Sequence, residues 1–540
     1  MEYAVTTTAP GRIAGCFGGT PDPDTIKEAI PMKKLLAILC AAALALSLAA
    51  CGADSTTGTA DAAYTRYTID GATALTFSDK GITATDGGDT AYEIDGTALT
   101  ITGAGTYVVS GSCADGSIQV KKGVTGVILV LNGLSLTSAD TAPITCAKSS
   151  GVVIAVADGT SNSLADTAMN NDENSPDNDK AENAVIKCKD GSQVTICGSG
   201  TLTVTANGKN GIKSGAATTE EGDASLTIRE VSLTIDAPVN DAINAEALLN
   251  VESGTLTISA GDDAIHSDLA LNIGADDTDG PAIAITSCYE GLEAAALAIR
   301  SGNITIQSSD DCLNAANSDL GRYDFTMTIS GGTITAYSSG GDGFDSNGSL
   351  AISGGSVAVW TANTADNQPL DADGTITISG GTVLAAGGSS AMGMSLTAEQ
   401  PCVTFSFAGG MGGRPGSDTS TASSRISQDS AVEIRDASGN TVYSGTAVCS
   451  AGFVFFSSAD LTADDSYTLY AADTEIAAAS AQTGVSSGGF GGGQPGQPGG
   501  QSGDGQQPPE MPDNGQQPPD VSGDGRQPGQ RREPNTQQSQ

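Results

Sequence analysis

Residues 254–266 read GTLTISAGDDAIH. Leu256, Ile258 and Ala260 alternate with Thr255, Thr257 and Ser259, the period-two pattern of a strand with one buried face. Gly261, Asp262 and Asp263 then mark a turn. Ala264, Ile265 and His266 follow, with Ile265 as a second inward apolar residue. The same two-part unit recurs along the chain. Its strand half reappears at Leu202-Thr203-Val204, Leu226-Thr227-Ile228, Ile304-Thr305-Ile306, Ile334-Thr335-Ala336, Val357-Ala358-Val359 and Ile376-Thr377-Ile378. Its second half begins at Asn210, Asp241, Asp263, Glu290, Asp311, Asp342 and Gln368, at spacings of 31, 22, 27, 21, 31 and 26 residues.

A core period near 21–27 residues with variable insertions is the mark of a solenoid, in which each coil is too small to fold alone and stacks on its neighbours. Period-two strands with small turn residues predict an all-β stack, a parallel β-helix rather than a helical solenoid. Leucine-rich repeats are excluded because their spaced leucine and asparagine pattern is missing. The glycine-aspartate nonapeptide array is missing too. Short strands broken by Gly, Asn and Asp extend the stack upstream, so it is expected over 66–395. Residues 396–483 change character, with apolar runs such as Phe453-Val454-Phe455-Phe456, and read as a small β cap over the open end of the stack. Residues 484–540 are rich in Gly, Gln and Pro and read as a disordered tail.

The beginning of the chain has a different logic. Met32, Lys33 and Lys34 precede an apolar stretch over 35–49 that ends in Ala49-Ala50-Cys51. A basic start, a short apolar run and small residues before a cut describe a secretory signal over 32–50. The Leu48-Ala49-Ala50-Cys51 ending resembles the bacterial lipobox, which predicts lipidation of Cys51. An ordinary signal peptide with a chance cysteine is the alternative. Residues 1–31 stand upstream of a complete signal and read as a mis-assigned start; a genuine extension is the competing reading. Residues 51–65 form a polar tether. The protein is then expected at the cell surface, on the outer face of the cytoplasmic membrane, touching the membrane through its lipid alone.

The formal net charge is −40 at pH 7. Such a chain repels nucleic acid and attracts cations. Beyond the leader, eight cysteines remain, none in a CxxC pair. Several sit where other units carry Val, Ile or Ala, so they read as small buried hydrophobes. Export also permits a disulfide, for which Cys402 and Cys449 are the pair to test.

Stacking the second half of each unit builds two outward lines, spaced at about 4.8 Å per coil. One is Asn210, Asp241, Asp263, Glu290, Asp311, Asp342 and Gln368. The other is Lys213, Asn244, His266, Glu293, Asn314, Asp345 and Asp371. Carboxylates at such spacing repel unless a cation lies between them. Calcium takes six to eight oxygen ligands with loose geometry, which this pattern supplies. The candidate metal ligands are Asp241, Asp262, Asp263, Glu290, Glu293, Asp310, Asp311, Asp342 and Asp345. Capping of turns by Asp and Asn is the structural alternative. His266, the only histidine, has no nucleophile motif beside it and reads as a member of the line rather than a catalyst. Tyr337 and Trp360 each lie five residues after a Gly-Gly pair, and they are expected to face outward one coil apart as a platform for a sugar ring.

The ordered series is similar to the lyase-like parallel β-helix family of bacterial, clostridial carbohydrate-binding domains. The resembling residues run from 105–111 (GTYVVSG) and 127–136 (VILVLNGLSL) through 198–204 (GSGTLTV) and 210–214 (NGIKS) to the Asp-Ala-Ile units. The resemblance implies a right-handed parallel β-helix, bound calcium, and binding without cleavage of cellulose or of acidic plant polysaccharide such as polygalacturonate. The expected partner is polysaccharide, and the expected state is a monomer. Two readings compete with this one. A calcium-dependent polysaccharide lyase needs a base beside the metal, and among the cationic residues of the repeats only Lys213 stands on a line. A structural or adhesive surface solenoid needs no defined sugar.

Overall fold

The computed structural model describes residues 69, 71–85, 91–219, 222–320, 323–362, 367–387, 394–406 and 426–487. The chain divides into a unit over 1–490 and a second over 491–540, and the second lies outside the described residues. So do the upstream segment, the signal, Cys51 and the tether.

Among the described residues every regular element is a strand. Thirty-five strands join one long sheet, mostly by parallel pairing, and four form a separate antiparallel sheet. The long sheet is a solenoid-like stack with three parallel ladders. One ladder shows how the sequence sets the register. Leu202 lies beside Leu233, which lies beside Leu256, then Ile283, Ile304, Ile334, Val357 and Val383. All eight are buried, while the threonines between them face out. A slip of one residue would drive every threonine inward, so the apolar alternation locks each coil onto the last. The resulting core runs unbroken from Leu75 to Phe455.

The Gly-Gly pairs close one corner of successive coils. Gly332, Gly355 and Gly381 adopt φ of +87°, +83° and +80°, a conformation that disfavours any side chain. A Cβ on the preceding Gly331, Gly354 or Gly380 would collide with the carbonyl oxygen of the coil before it, at Arg300, Ser330 or Ser353.

Strand Phe453–Ser457 runs antiparallel between Thr382–Gly387 and Cys402–Ser406 and pairs with both. The parallel ladder therefore ends against reversed strands instead of an open edge. The small sheet, Ala431–Asp436 with Thr441–Thr446, Ser466–Ala471 and Thr474–Ser480, packs on the outer side of this end. Its Val432, Ile434 and Leu469 share a second core with Trp360, Leu384 and Phe456. Strand Val485–Ser487 pairs antiparallel with Leu396–Ala398. This corrects the expected tail boundary, because the first residues of the Gly-rich stretch are used as a strand. All eight cysteines are buried and free. The Cys402–Cys449 disulfide does not form, since Cys402 lines the inner core and Cys449 the core beneath the small sheet.

Candidate functional site

Both outward lines follow the strand register. Backbone amides of Gly211, Ala242, Ala264, Gly291, Cys312 and Gly343 donate to the carbonyls of Asp241, Asp263, Glu290, Asp311, Asp342 and Gln368 in the next coil, at 2.8–3.3 Å. That stacks the first line in order. Pairings place Lys213 beside Asn244, then His266, Glu293, Asn314 and Asp345. The bridge between Phe344 and Leu370 brings Asp371 next. The line also continues backward to Lys187 and Thr145.

Capping of turns and clustering of charge coexist here. Asp311 Oδ1 accepts from the Asp342 amide at 2.6 Å, and Asp342 Oδ1 accepts from the Gln368 amide at 2.5 Å. Each carboxylate thus ties one coil to the next with one oxygen. Asp241 is more fully used, accepting from the Asp263 amide and from the Asn244 side chain.

Two groups stand out. In the first, Asp342, Asp345 and Asp371 bring carboxylate oxygens within 4.8 Å of one another. Burial, with like charge around it, pushes Asp342 up to about 6 and raises Asp345. Burial likewise lifts Asp311 to about 7 and Glu290 to about 8, against the hydrogen bonds that favour their charged forms. Two amide oxygens on the same lines, Asn314 Oδ1 and Gln368 Oε1, are buried and have no hydrogen-bond partner. Asn314 as a whole is 8% exposed, and its amide nitrogen donates to Glu290 Oε2 at 2.9 Å. Orphaned oxygens among crowded carboxylates are the donor set a hard cation accepts.

In the second group, Asp263, His266 and Glu293 gather within the same 4.8 Å. Burial disfavours the imidazolium, but the hydrogen bonds it donates to the carboxylates of Asp263, Asp268 and Glu293 outweigh it and lift His266 to about 12. Strand alternation over Ile265–Ile273 places Asp268 on the same face as His266.

Asp262 and Asp310 lie beside the first line rather than on it. Tyr289 stands between them, donating its amide to the Asp262 carbonyl and accepting the Asp310 amide. The residue is 47% exposed. A hydrogen bond from its hydroxyl to Asp310, added to that residue's charge, raises the phenol to about 12. The sequence reading passed over Tyr289; the signal was its place just before Glu290, where the neighbouring units carry Asp262 and Asp310.

The expected sugar platform needs correction. Tyr337 and Trp360 are indeed register partners. Trp360, however, is 1% exposed, because the small sheet covers the outer face at this end of the stack. Tyr337 is half-buried against the same core. Lys213 pairs with Glu246 at 3.6 Å and lies five ladder positions from Asp345, about 24 Å at ordinary strand spacing. It does not reach the Asp342 group.

A family model described as carbohydrate-binding domain-containing protein matches residues 95–391 and 278–467. A carbohydrate-binding domain-containing protein of Acetivibrio thermocellus is 41% identical over 113 residues, which is 21% of this chain and 38% of the relative. The chain therefore spans well under half of that relative's length. A solved structure of a polysaccharide lyase-like protein from C. thermocellum, in a gadolinium derivative, aligns over 57% of this chain and 96% of its own, with 23% identity and a TM-score of 0.35. With a family-model match over more than half of its length, the chain belongs to the family of carbohydrate-binding domain-containing proteins.

Proposed function

We propose that this protein binds acidic polysaccharide without cleaving it, through a calcium-bearing ladder on a right-handed parallel β-helix held at the cell surface by lipidated Cys51. The observation that carries this reading is the Asp342, Asp345 and Asp371 group with the two orphaned amide oxygens of Asn314 and Gln368 on its lines. Those residues, with Asp311, would hold the ion. Calcium would supply a positive bridge between this acidic surface and the carboxylates of a uronate chain. The family supports carbohydrate as the partner class. Tyr289, exposed beside the ladder, offers the apolar ring face that buried Trp360 cannot. The distance from Lys213 to the Asp342 group favours binding over lyase chemistry, which needs its base at the metal.

The test is binding of the full-length chain to polygalacturonate with calcium and with chelator, alongside absorbance of unsaturated product. Calcium-dependent binding without product is expected, and it is expected to be lost in Asp342→Asn/Asp345→Asn. Steady product formation abolished by Lys213→Ala would replace this reading with a lyase. Absence of binding to any acidic or neutral glycan would leave a structural solenoid.

A further inference from the structure

His266 interrupts an oxygen-rich ladder with a nitrogen. Its Nδ1 lies 3.2 Å from Asp263 Oδ2 and 2.6 Å from Glu293 Oε2. Its Nε2 lies 3.0 Å from Asp268 Oδ1. One ring edge thus faces two carboxylates, and the opposite edge is held by a third. Histidines that bind a metal through one nitrogen commonly give the other N–H to a carboxylate, which fixes the ring and its tautomer. Asp268 stands in that place.

The neighbouring ladder position adds an independent observation. Asn244 is the register partner of His266, and its Oδ1 is buried without a hydrogen-bond partner. Its amide nitrogen is committed to Asp241 Oδ2 at 2.6 Å, so a flip would forfeit that bond. The side chains of His266, Asp263 and Glu293 are only 18%, 13% and 16% exposed, which shields them from competing water. Tetrahedral metal bonds of about 2.1 Å put ligand atoms roughly 3.4 Å apart. The two Nδ1–oxygen separations, 3.2 and 2.6 Å, are shorter than that, so the carboxylates must swing outward, by up to about 0.8 Å at Glu293, to admit an ion.

Donor chemistry then separates this group from the other. Asp342, Asp345 and Asp371 offer oxygen alone, which suits calcium. Imidazole nitrogen with carboxylate oxygen suits borderline divalent ions such as zinc. We propose that Asp263, His266 and Glu293 form a second metal site, selective for a zinc-class ion, with Asp268 as the positioning residue. The proposal stands apart from the glycan reading, since it needs no sugar.

The single histidine makes the test specific. Chelator-treated full-length protein is titrated with zinc while the imidazole nitrogens are followed by NMR, and with cobalt while visible d–d absorption is followed. One equivalent is expected to shift the Nδ1 resonance and to develop the cobalt band, with excess calcium failing to displace either. His266→Asn is expected to abolish the cobalt band while calcium binding and the circular dichroism spectrum persist. Asp268→Asn is expected to keep the band and weaken affinity about 10–100-fold. Imidazole signals unmoved by zinc and cobalt would overturn the proposal and leave the histidine as the cage's own cation. A cobalt band surviving in His266→Asn, or displacement by equimolar calcium, would overturn it too.

Discussion

Lys187 and Lys213 occupy, in two successive coils, the outward position that Glu293, Asp345 and Asp371 occupy further along the same ladder. The backbone around both ends is alike. Inward of the lysines lie Ile186 and Ile212, and inward of the acids lie Leu292, Phe344 and Leu370, all fully buried. The contrast teaches that the stack is specified from inside, while its outer position is free to carry either charge. An unpaired cluster on that outer line is therefore a matter of chemistry more than of folding.

The largest effect should be blind to the difference between the ends. Ile186→Ala at the basic end and Leu313→Ala at the acidic end each remove a fully buried side chain. Each is expected to cost about 2–5 kcal/mol in urea unfolding, with or without calcium. A loss at one end alone would break the view of a uniform core.

Calcium should separate the ends. It is expected to raise the melting temperature of the wild-type chain, by the equivalent of about 2.7 kcal/mol at a hundred times its Kd. Asp342→Asn/Asp345→Asn should abolish the rise, and Lys213→Gln should leave it intact. A rise that survives the double substitution places the ion elsewhere.

The aromatic contrast is smaller. Tyr289→Ala is expected to weaken glycan binding by roughly tenfold, about 1.4 kcal/mol, with little change in melting temperature. Trp360→Ala should do the reverse, because its ring is core. Equilibrium binding and thermal melts of the two variants check this, and weakened binding with unchanged stability in Trp360→Ala would contradict it.

The smallest effect sharpens the basic end. Burial, followed by repulsion from Lys213, depresses the pKa of Lys187 below its ordinary 10.5. The folded state therefore holds this proton less tightly than the unfolded chain, and the cost is fully present at neutral pH. It is relieved as pH rises through the folded value toward 10.5. Lys187→Met should raise the melting temperature at pH 7, and the gain should shrink in melts run toward pH 10. A gain that does not change with pH would mean packing, not charge, is responsible.

Much of this was legible in residues alone. The alternation of Leu and Ile with Thr, the turn residues and the 21–31-residue spacings lead to an all-β stack and to both outward lines in their observed order. That works because inward apolar residues leave one register per coil, and register alone decides which residues are neighbours along a ladder. Other features needed the folded chain. Trp360 has the outward phase of a surface residue, and nothing local says that Val432, Ile434 and Leu469 of a later sheet will cover it. Asp345 and Asp371 are ladder neighbours by spacing, but only the folded chain shows an oxygen of Asp342 within 4.8 Å of theirs. Asp268 acquires meaning only when the imidazole turns toward it. Periodicity determines which faces exist and which residues stand on them; long-range packing and side-chain rotamers decide which of those faces stay open and which ligand atoms meet.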